Sequence, residues 1–214
     1  MTQETAMLTV HHLGVSQSDR IVWLCEELQI PYSLIRYDRD PVTRLAPAAY
    51  KALHPSGTAP VVTEGGLCLA ESGAIIDYIV ARHGGGRLTL PANHADFATY
   101  LYWYHFANGS FLPSMMLLMA SGDMAALMKQ RFDRGIAALE AHLSQTGPWL
   151  AGEVFTVADI MMIFPLTTMR EFVPLDLAPY PAIRAYGLVT DLCRSPLSLC
   201  HLGFEGERAD AAQI

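Results

Sequence analysis

The sequence predicts an α/β domain with a small mixed four-stranded sheet, followed by an all-helical domain. Three observations carry this. Strand and helix signals alternate over the first eighty residues. A two-residue Gly65-Gly66 step sits between two short β-runs, which marks a hairpin. A Gly84-Gly85-Gly86 triplet then marks a composition shift, and from Ala95 onward no segment has a strand pattern.

LTVHHL reads as a short strand. Ile21, Val22, Leu24, Cys25 and Leu28 then follow helical spacing, and Pro31 stops that helix. YSLIRY alternates as a strand does, and a Pro- and Ala-rich loop follows it. APVVTEGGLCLAES supplies the hairpin, and AIIDYIVARH a last helix before the glycines. The order β-α-β-(α)-β-β-α implies one parallel strand pair with an antiparallel hairpin beside it. The first domain is predicted over 6–84.

The second is predicted over 92–208. ADFATYLYWYHFANGSFLPSMMLLMA is long and apolar-periodic, and DMAALMKQRFDRGIAALEAHL is an amphipathic helix. FTVADIMMIFPL and PAIRAYGLVTDL give two more. Thr156 is placed to cap its helix with Asp159 closing the capping box; Phe155 and Ile160 are placed as a hydrophobic staple.

Composition narrows the function. Net charge is −7 and charged residues make up 16 % of the 214 residues, against about 25 % in typical globular chains. No basic stripe exists to displace counterions, so no nucleic-acid partner is expected. No apolar run reaches the roughly 18 residues of a membrane span, and the N-terminus lacks a signal pattern. A soluble cytoplasmic protein is expected. The low charged fraction hints at surface covered by a partner subunit. The four cysteines read as small buried hydrophobes. The eight histidines lack ligand spacing, so no metal site is expected.

Three stretches carry chemistry. HHLGVSQSDR joins the first strand to the first helix, with Ser16 and Ser18 in the bend. Either serine can cap the helix, and Ser16 through Asp19 also reads as a capping box. In HPSGTAPVV, Pro60 opens a strand; from physics alone an ordinary trans proline in a turn is the expectation. In LAES, Ser72 begins a helix whose first free N–H groups suit an anion, and Glu71 beside it suits an ammonium.

Together these stretches resemble the glutathione transferase family, over nearly the whole chain. HPSGTAPVV is similar to the family's N-P-x-G-x-x-P-V loop with its cis-proline, and LAESGAI to its E-S-x-A-I glutathione-binding turn. GEVFTVADI is similar to its capping box and staple, and WYHFANGSFLP to a helix of a bacterial and fungal subgroup. The resemblance implies a thioredoxin-like first domain and a helical second domain. It implies glutathione as co-substrate, a small hydrophobic electrophile as acceptor, and a homodimer. Ala59, before Pro60, would pair its backbone with the cysteinyl unit, and Glu71 and Ser72 would hold the γ-glutamyl end. Relatives often carry a lysine before the Ala59 position to anchor the glycine carboxylate; here Thr58 stands there. Ser16, four residues before Arg20, falls where serine-type members place their catalytic hydroxyl. Cysteine-type members need a cysteine there, and tyrosine-type members a tyrosine on the preceding strand, where His11 and His12 lie. Ser16 as catalytic hydroxyl and Ser18 as cap is the favoured assignment.

The resemblance also puts the acceptor between the sheet domain and the first long helix. On that helix Tyr104, Asn108, Phe111 and Met115 recur at helical spacing; Tyr104, Phe111 and Met115 are the expected acceptor-side residues. The implied reaction is conjugation, with glutathione-dependent peroxide reduction beside it. Two other functions fit less of the sequence. A non-catalytic binding or assembly module is suggested by Thr58. A serine hydrolase is suggested by Gly14-Val15-Ser16-Gln17-Ser18, which falls one glycine short of a nucleophile elbow.

Overall fold

The computed structural model describes residues 6–119 and 121–193. It divides into two compact units, one ending at Arg87 and the other beginning at Leu88. The expected boundary at 208 and Cys200 lie outside the described residues.

In the first unit, β1 (Thr9–Leu13), α1 (Asp19–Leu28), β2 (Ser33–Tyr37) and the short α2 (Ala48–Lys51) are followed by β3 (Val61–Glu64), β4 (Leu67–Ala70) and α3 (Ser72–Arg82). The sheet order is β2-β1-β3-β4. β1 pairs parallel with β2 and antiparallel with β3, and β3 pairs antiparallel with β4. Gly65 supplies the hairpin's left-handed residue, with φ +58°.

Side chains alternate across the sheet. Leu13, Val61 and Ala70 pack with Tyr50 of α2 on one face. Val10, His12 and Val62 point to the other face and are buried. α1 buries Ile21, Val22, Leu24, Cys25 and Leu28, the set its spacing predicts. Gly84 lets the end of α3 approach α1: a Cβ there would meet the Val80 carbonyl oxygen at 3.0 Å and Leu28 at 3.1 Å.

The second unit holds α4 (Phe97–Phe106), a π-helical turn (Ala107–Phe111), α5 (Leu112–Met116), a 3₁₀ turn (Leu117–Met119), α6 (Asp123–Leu143), α7 (Val157–Leu166), a further 3₁₀ turn (Thr168–Glu171) and α8 (Pro181–Cys193). α7 begins as the sequence predicts. Thr156 N–H donates to Asp159 Oδ2 at 2.8 Å, and Ala158 N–H donates to Thr156 Oγ1 at 3.3 Å, closing the capping box. The Asp159 carboxylate also accepts from Leu150 N–H at 2.9 Å and the Tyr186 hydroxyl at 3.2 Å. Glu140 of α6 caps α8 by accepting from Ala182 and Ile183 N–H, both at 2.9 Å.

Two expectations need correction. The cysteines are not uniformly buried: Cys25 is, and burial pushes its thiol up to about 12, whereas Cys68 is exposed. Cys68 shares its face with Ala70 but lies two residues nearer the hairpin on the edge strand β4, outside the Leu13–Tyr50 cluster, and the Cys193 side chain lies outside the described residues. The 3.6-residue spacing from Tyr104 to Met115 is also interrupted. The π turn at Ala107–Phe111 inserts extra backbone per turn, so a pure helical repeat does not align the residues on its two sides.

Candidate active site

Strand direction brings the predicted stretches to one edge of the sheet. His11 pairs with Val61, and Val61 with Ala70. The C-terminal end of β1, the N-terminal end of β3 and the C-terminal end of β4 therefore coincide. The Ser16 loop, the Ala59–Pro60 step and the Glu71–Ser72 turn emerge side by side.

The Ala59–Pro60 peptide bond is cis, against the trans form that physics alone favours. Pro60 is buried and Ala59 packs partly against the Leu13–Tyr50 cluster. Thr58 is exposed, its hydroxyl 3.0 Å from Ser56 Oγ. Glu71 is exposed, and Ser72 is buried at the start of α3.

Two residues beside the site hold unusual backbone. Val15, just before Ser16, has φ +51°, a left-handed conformation that a β-branched residue rarely adopts. Glu71, just before Ser72, has φ +75° and ψ 121°. Each such residue costs of order 1–3 kcal/mol and persists only where its surroundings hold it. At Val15 the holder is Arg39, whose Nε donates to the carbonyls of Gly14 at 2.9 Å and Val15 at 3.2 Å.

Ser16 and Ser18 are 4 % and 0 % exposed. Their Oγ atoms are 2.8 Å apart. Ser16 Oγ lies 2.7 Å from the Leu13 carbonyl oxygen and accepts from Ser18 N–H at 3.2 Å. Ser18 Oγ accepts from Leu13 N–H at 3.1 Å, lies 3.1 Å from the Leu13 carbonyl oxygen and 3.0 Å from His12 Nδ1. Ser18 stands at the N-cap position of α1, yet its side chain makes no capping hydrogen bond. The expectation of Ser18 as side-chain cap is therefore corrected. The hydroxyl turns back to β1 because pairing with β3 ends at His11, so Leu13 offers both a donor and an acceptor on that side.

His12 is buried, and burial depresses its imidazole pKa below the usual value; Asp19, with Oδ1 3.8 Å from Nδ1, opposes this. His11, on the opposite face, bonds Tyr37 OH and Thr63 Oγ1, and burial lowers its pKa also.

Sequence reasoning missed Gln17 and Arg39. Gln17 Oε1 accepts from Ser72 Oγ at 3.2 Å and from Arg20 Nη1 at 2.6 Å. It ties the serine loop to the turn that begins α3. No local pattern marks either residue, because each acts across a long sequence separation.

The expected acceptor-side residues are all buried. Phe111 stacks on Phe106 and Phe132, with centroids 5.8 and 5.3 Å apart. Tyr104 stacks on Tyr100 at 6.0 Å, and Met115 is 0 % exposed. A groove of about 440 Å³ in the helical unit is lined by Tyr102, Phe106, Met128, Arg131 and Arg134, among others, and by none of these three. Among the described residues no His, Cys, Asp and Glu group is arranged to hold a metal ion, and no helix is long and apolar enough to cross a membrane.

The family model "Glutathione S-transferase, N-terminal domain" matches residues 16–82, and "Glutathione S-transferase, C-terminal domain" matches 123–186. The chain is 32 % identical to glutathione S-transferase 3 of Schizosaccharomyces pombe, over 84 % of this chain and 81 % of that one. Its fold matches a glutathione S-transferase crystal structure from Actinobacillus pleuropneumoniae, with TM-score 0.81, 32 % identity, and 94 % and 96 % of the two chains covered. A sphingomonad glutathione S-transferase complexed with glutathione matches with TM-score 0.69 and 25 % identity over 88 % and 94 %. With the thioredoxin-like sheet unit, the helical unit and these matches together, the chain belongs to the glutathione S-transferase family, whose enzymes take glutathione as co-substrate.

Proposed function

We propose that the protein transfers the glutathione thiolate to small hydrophobic electrophiles, with Ser16 holding the thiolate. The observation that carries this is the Ser72–Gln17 hydrogen bond of 3.2 Å, which joins the serine loop to the Glu71–Ser72 turn. A tripeptide whose γ-glutamyl end rests on Glu71, Ser72 and the α3 N-terminus, and whose cysteinyl unit pairs with the Ala59 backbone, extends toward Ser16. Thr58 supplies a neutral contact for the glycine end.

A free thiol has a pKa of about 8.5, so little thiolate exists at neutral pH. A hydroxyl hydrogen bond to a charged acceptor is worth about 1.5–3 kcal/mol. That corresponds to roughly one to two pKa units. A helix N-terminus adds about 0.3–1 kcal/mol, so the directed hydroxyl dominates. Ser16 donates to the sulfur by rotating its hydroxyl away from the Leu13 carbonyl oxygen, 2.7 Å from its Oγ.

Tyr104, Phe111 and Met115 are the proposed acceptor-side residues. Peroxide reduction by the same thiolate is a proposed second activity. A homodimer is proposed because the helical unit carries exposed Met116, Met119, Met124 and Leu127. A serine hydrolase would need an imidazole on Ser16, and His12 Nδ1 bonds Ser18 instead.

The test is retention on immobilised glutathione followed by a conjugation assay with an aromatic halide. Retention with turnover is expected. Retention without turnover would favour a binding module.

A further inference from the structure

We propose that Ser16, Ser18 and His12 form a proton relay that carries the glutathione thiol proton inward to His12 Nδ1 and leaves Ser16 donating to the new thiolate. This rests on Ser16 being the hydroxyl at the sulfur.

The geometry is a continuous chain: Ser16 Oγ to Ser18 Oγ is 2.8 Å, and Ser18 Oγ to His12 Nδ1 is 3.0 Å. Two hydroxyl oxygens at 2.8 Å require a proton between them. Each hydroxyl owns one proton, so the chain has two directions. With the imidazole proton on Nε2, Nδ1 accepts from Ser18, Ser18 accepts from Ser16, and Ser16 turns a lone pair outward. With Nδ1 protonated, His12 donates to Ser18, Ser18 donates to Ser16, and the Ser16 proton is free to point outward.

The direction switches by moving one proton equivalent. The S–H bond breaks and its proton passes to Ser16 Oγ. The proton of Ser16 passes to Ser18, and that of Ser18 to Nδ1. The products are a thiolate and an imidazolium, so charge and protons balance. Both serines stay neutral, and the chain now points at the sulfur. In an addition reaction the proton returns to the product; in a displacement it is lost to solvent as the anionic leaving group departs.

The surroundings suit a transient proton holder. His12, Ser16 and Ser18 are all buried, so bulk water does not short-circuit the chain. Burial keeps the resting imidazole neutral and accepting. The charged groups acting on it are Asp19 of α1, which favours the imidazolium, and Arg36 of β2 and Asp38 just beyond it, which oppose each other. His12 is thus a positioning residue that acts through two hydroxyls.

The experiment measures the thiol pKa of bound glutathione by ultraviolet thiolate absorbance, in wild type, His12→Asn, Ser18→Ala and Ser16→Ala. S-methylglutathione, which has no thiol proton, reports intact binding. In His12→Asn and Ser18→Ala the thiol pKa rises by about one unit and kcat/KM at neutral pH falls about tenfold, with S-methylglutathione affinity unchanged. An unchanged thiol pKa in a variant that still binds S-methylglutathione overturns the relay. If Ser16→Ala raises the pKa while the other two do not, Ser16 stands and the relay falls. If Ser16→Ala leaves the pKa unchanged, the reading of Ser16 itself fails. Thiolate formation in wild type also gives a curved proton inventory in mixed light and heavy water; a linear one overturns the relay without any variant.

Discussion

Ser72 Oγ donates to Gln17 Oε1 across 3.2 Å, and 55 positions of sequence separate the two residues. Gln17 also accepts from the buried Arg20 guanidinium at 2.6 Å. One amide oxygen thus fixes the serine loop relative to the turn that opens α3. The consequences of that arrangement are testable.

Replacing Ser16 by Ala lowers kcat/KM for conjugation roughly ten- to hundred-fold, the value of one hydrogen bond to a charged sulfur. Folding survives, because Ser18 still reaches the Leu13 carbonyl. Full activity with a standard electrophile would remove Ser16 from the mechanism.

Replacing Arg39 by Lys loosens the Gly14–Val15 backbone, since a terminal ammonium does not reproduce the fixed Nε–H that both carbonyls share. A loss of about 1 kcal/mol in Ser16 placement, roughly fivefold in kcat/KM, is expected with little change in melting temperature. An unchanged rate would show that Val15 is held by other contacts.

Phe111→Ala and Tyr104→Ala separate packing from acceptor recognition. Phe111 lies between Phe106 and Phe132, so its truncation costs about 3–5 kcal/mol of stability. Tyr104→Ala is expected to spread the KM values of different acceptors while glutathione affinity stays constant. Equal loss across all acceptors counts against Tyr104.

Asp159→Ala removes a carboxylate that accepts from Leu150, Thr156 and Tyr186. Leaving those buried donors unsatisfied costs about 1–3 kcal/mol each way the fold relaxes. The melting temperature falls by several degrees, and a calorimetric scan decides it. A shift within error would mean α7 is held by packing alone.

Acidification destabilises the protein through His11 and His12. Burial lowers both folded-state pKa values. The unfolded histidines take up protons at about pH 6.5, while the folded ones resist. The unfolded state then binds more protons, so stability is present above that pH and lost as pH falls through it. Urea denaturation at pH 7.5 and 5.5 should show this loss, and His12→Asn should reduce it. Equal pH dependence in wild type and variant contradicts the assignment.

Local patterns were sufficient for much of this. Gly65-Gly66, the capping pair Thr156–Asp159 and the spacing of Ile21, Val22, Leu24, Cys25 and Leu28 depend on neighbours within one turn or one hairpin, so the chain states them directly. Motif resemblance pointed to Ser16, Ala59, Glu71 and Ser72. The roles of Gln17, Arg39 and His12 were not legible, because each bonds a group that only strand pairing brings near. The π turn at Ala107–Phe111 was missed because hydrophobic periodicity assumes constant pitch. Ser18 read as a cap from its position alone. Only the folded chain showed its hydroxyl spent on Leu13 and His12, since a buried hydroxyl goes to whichever unpaired partners the tertiary structure leaves within reach.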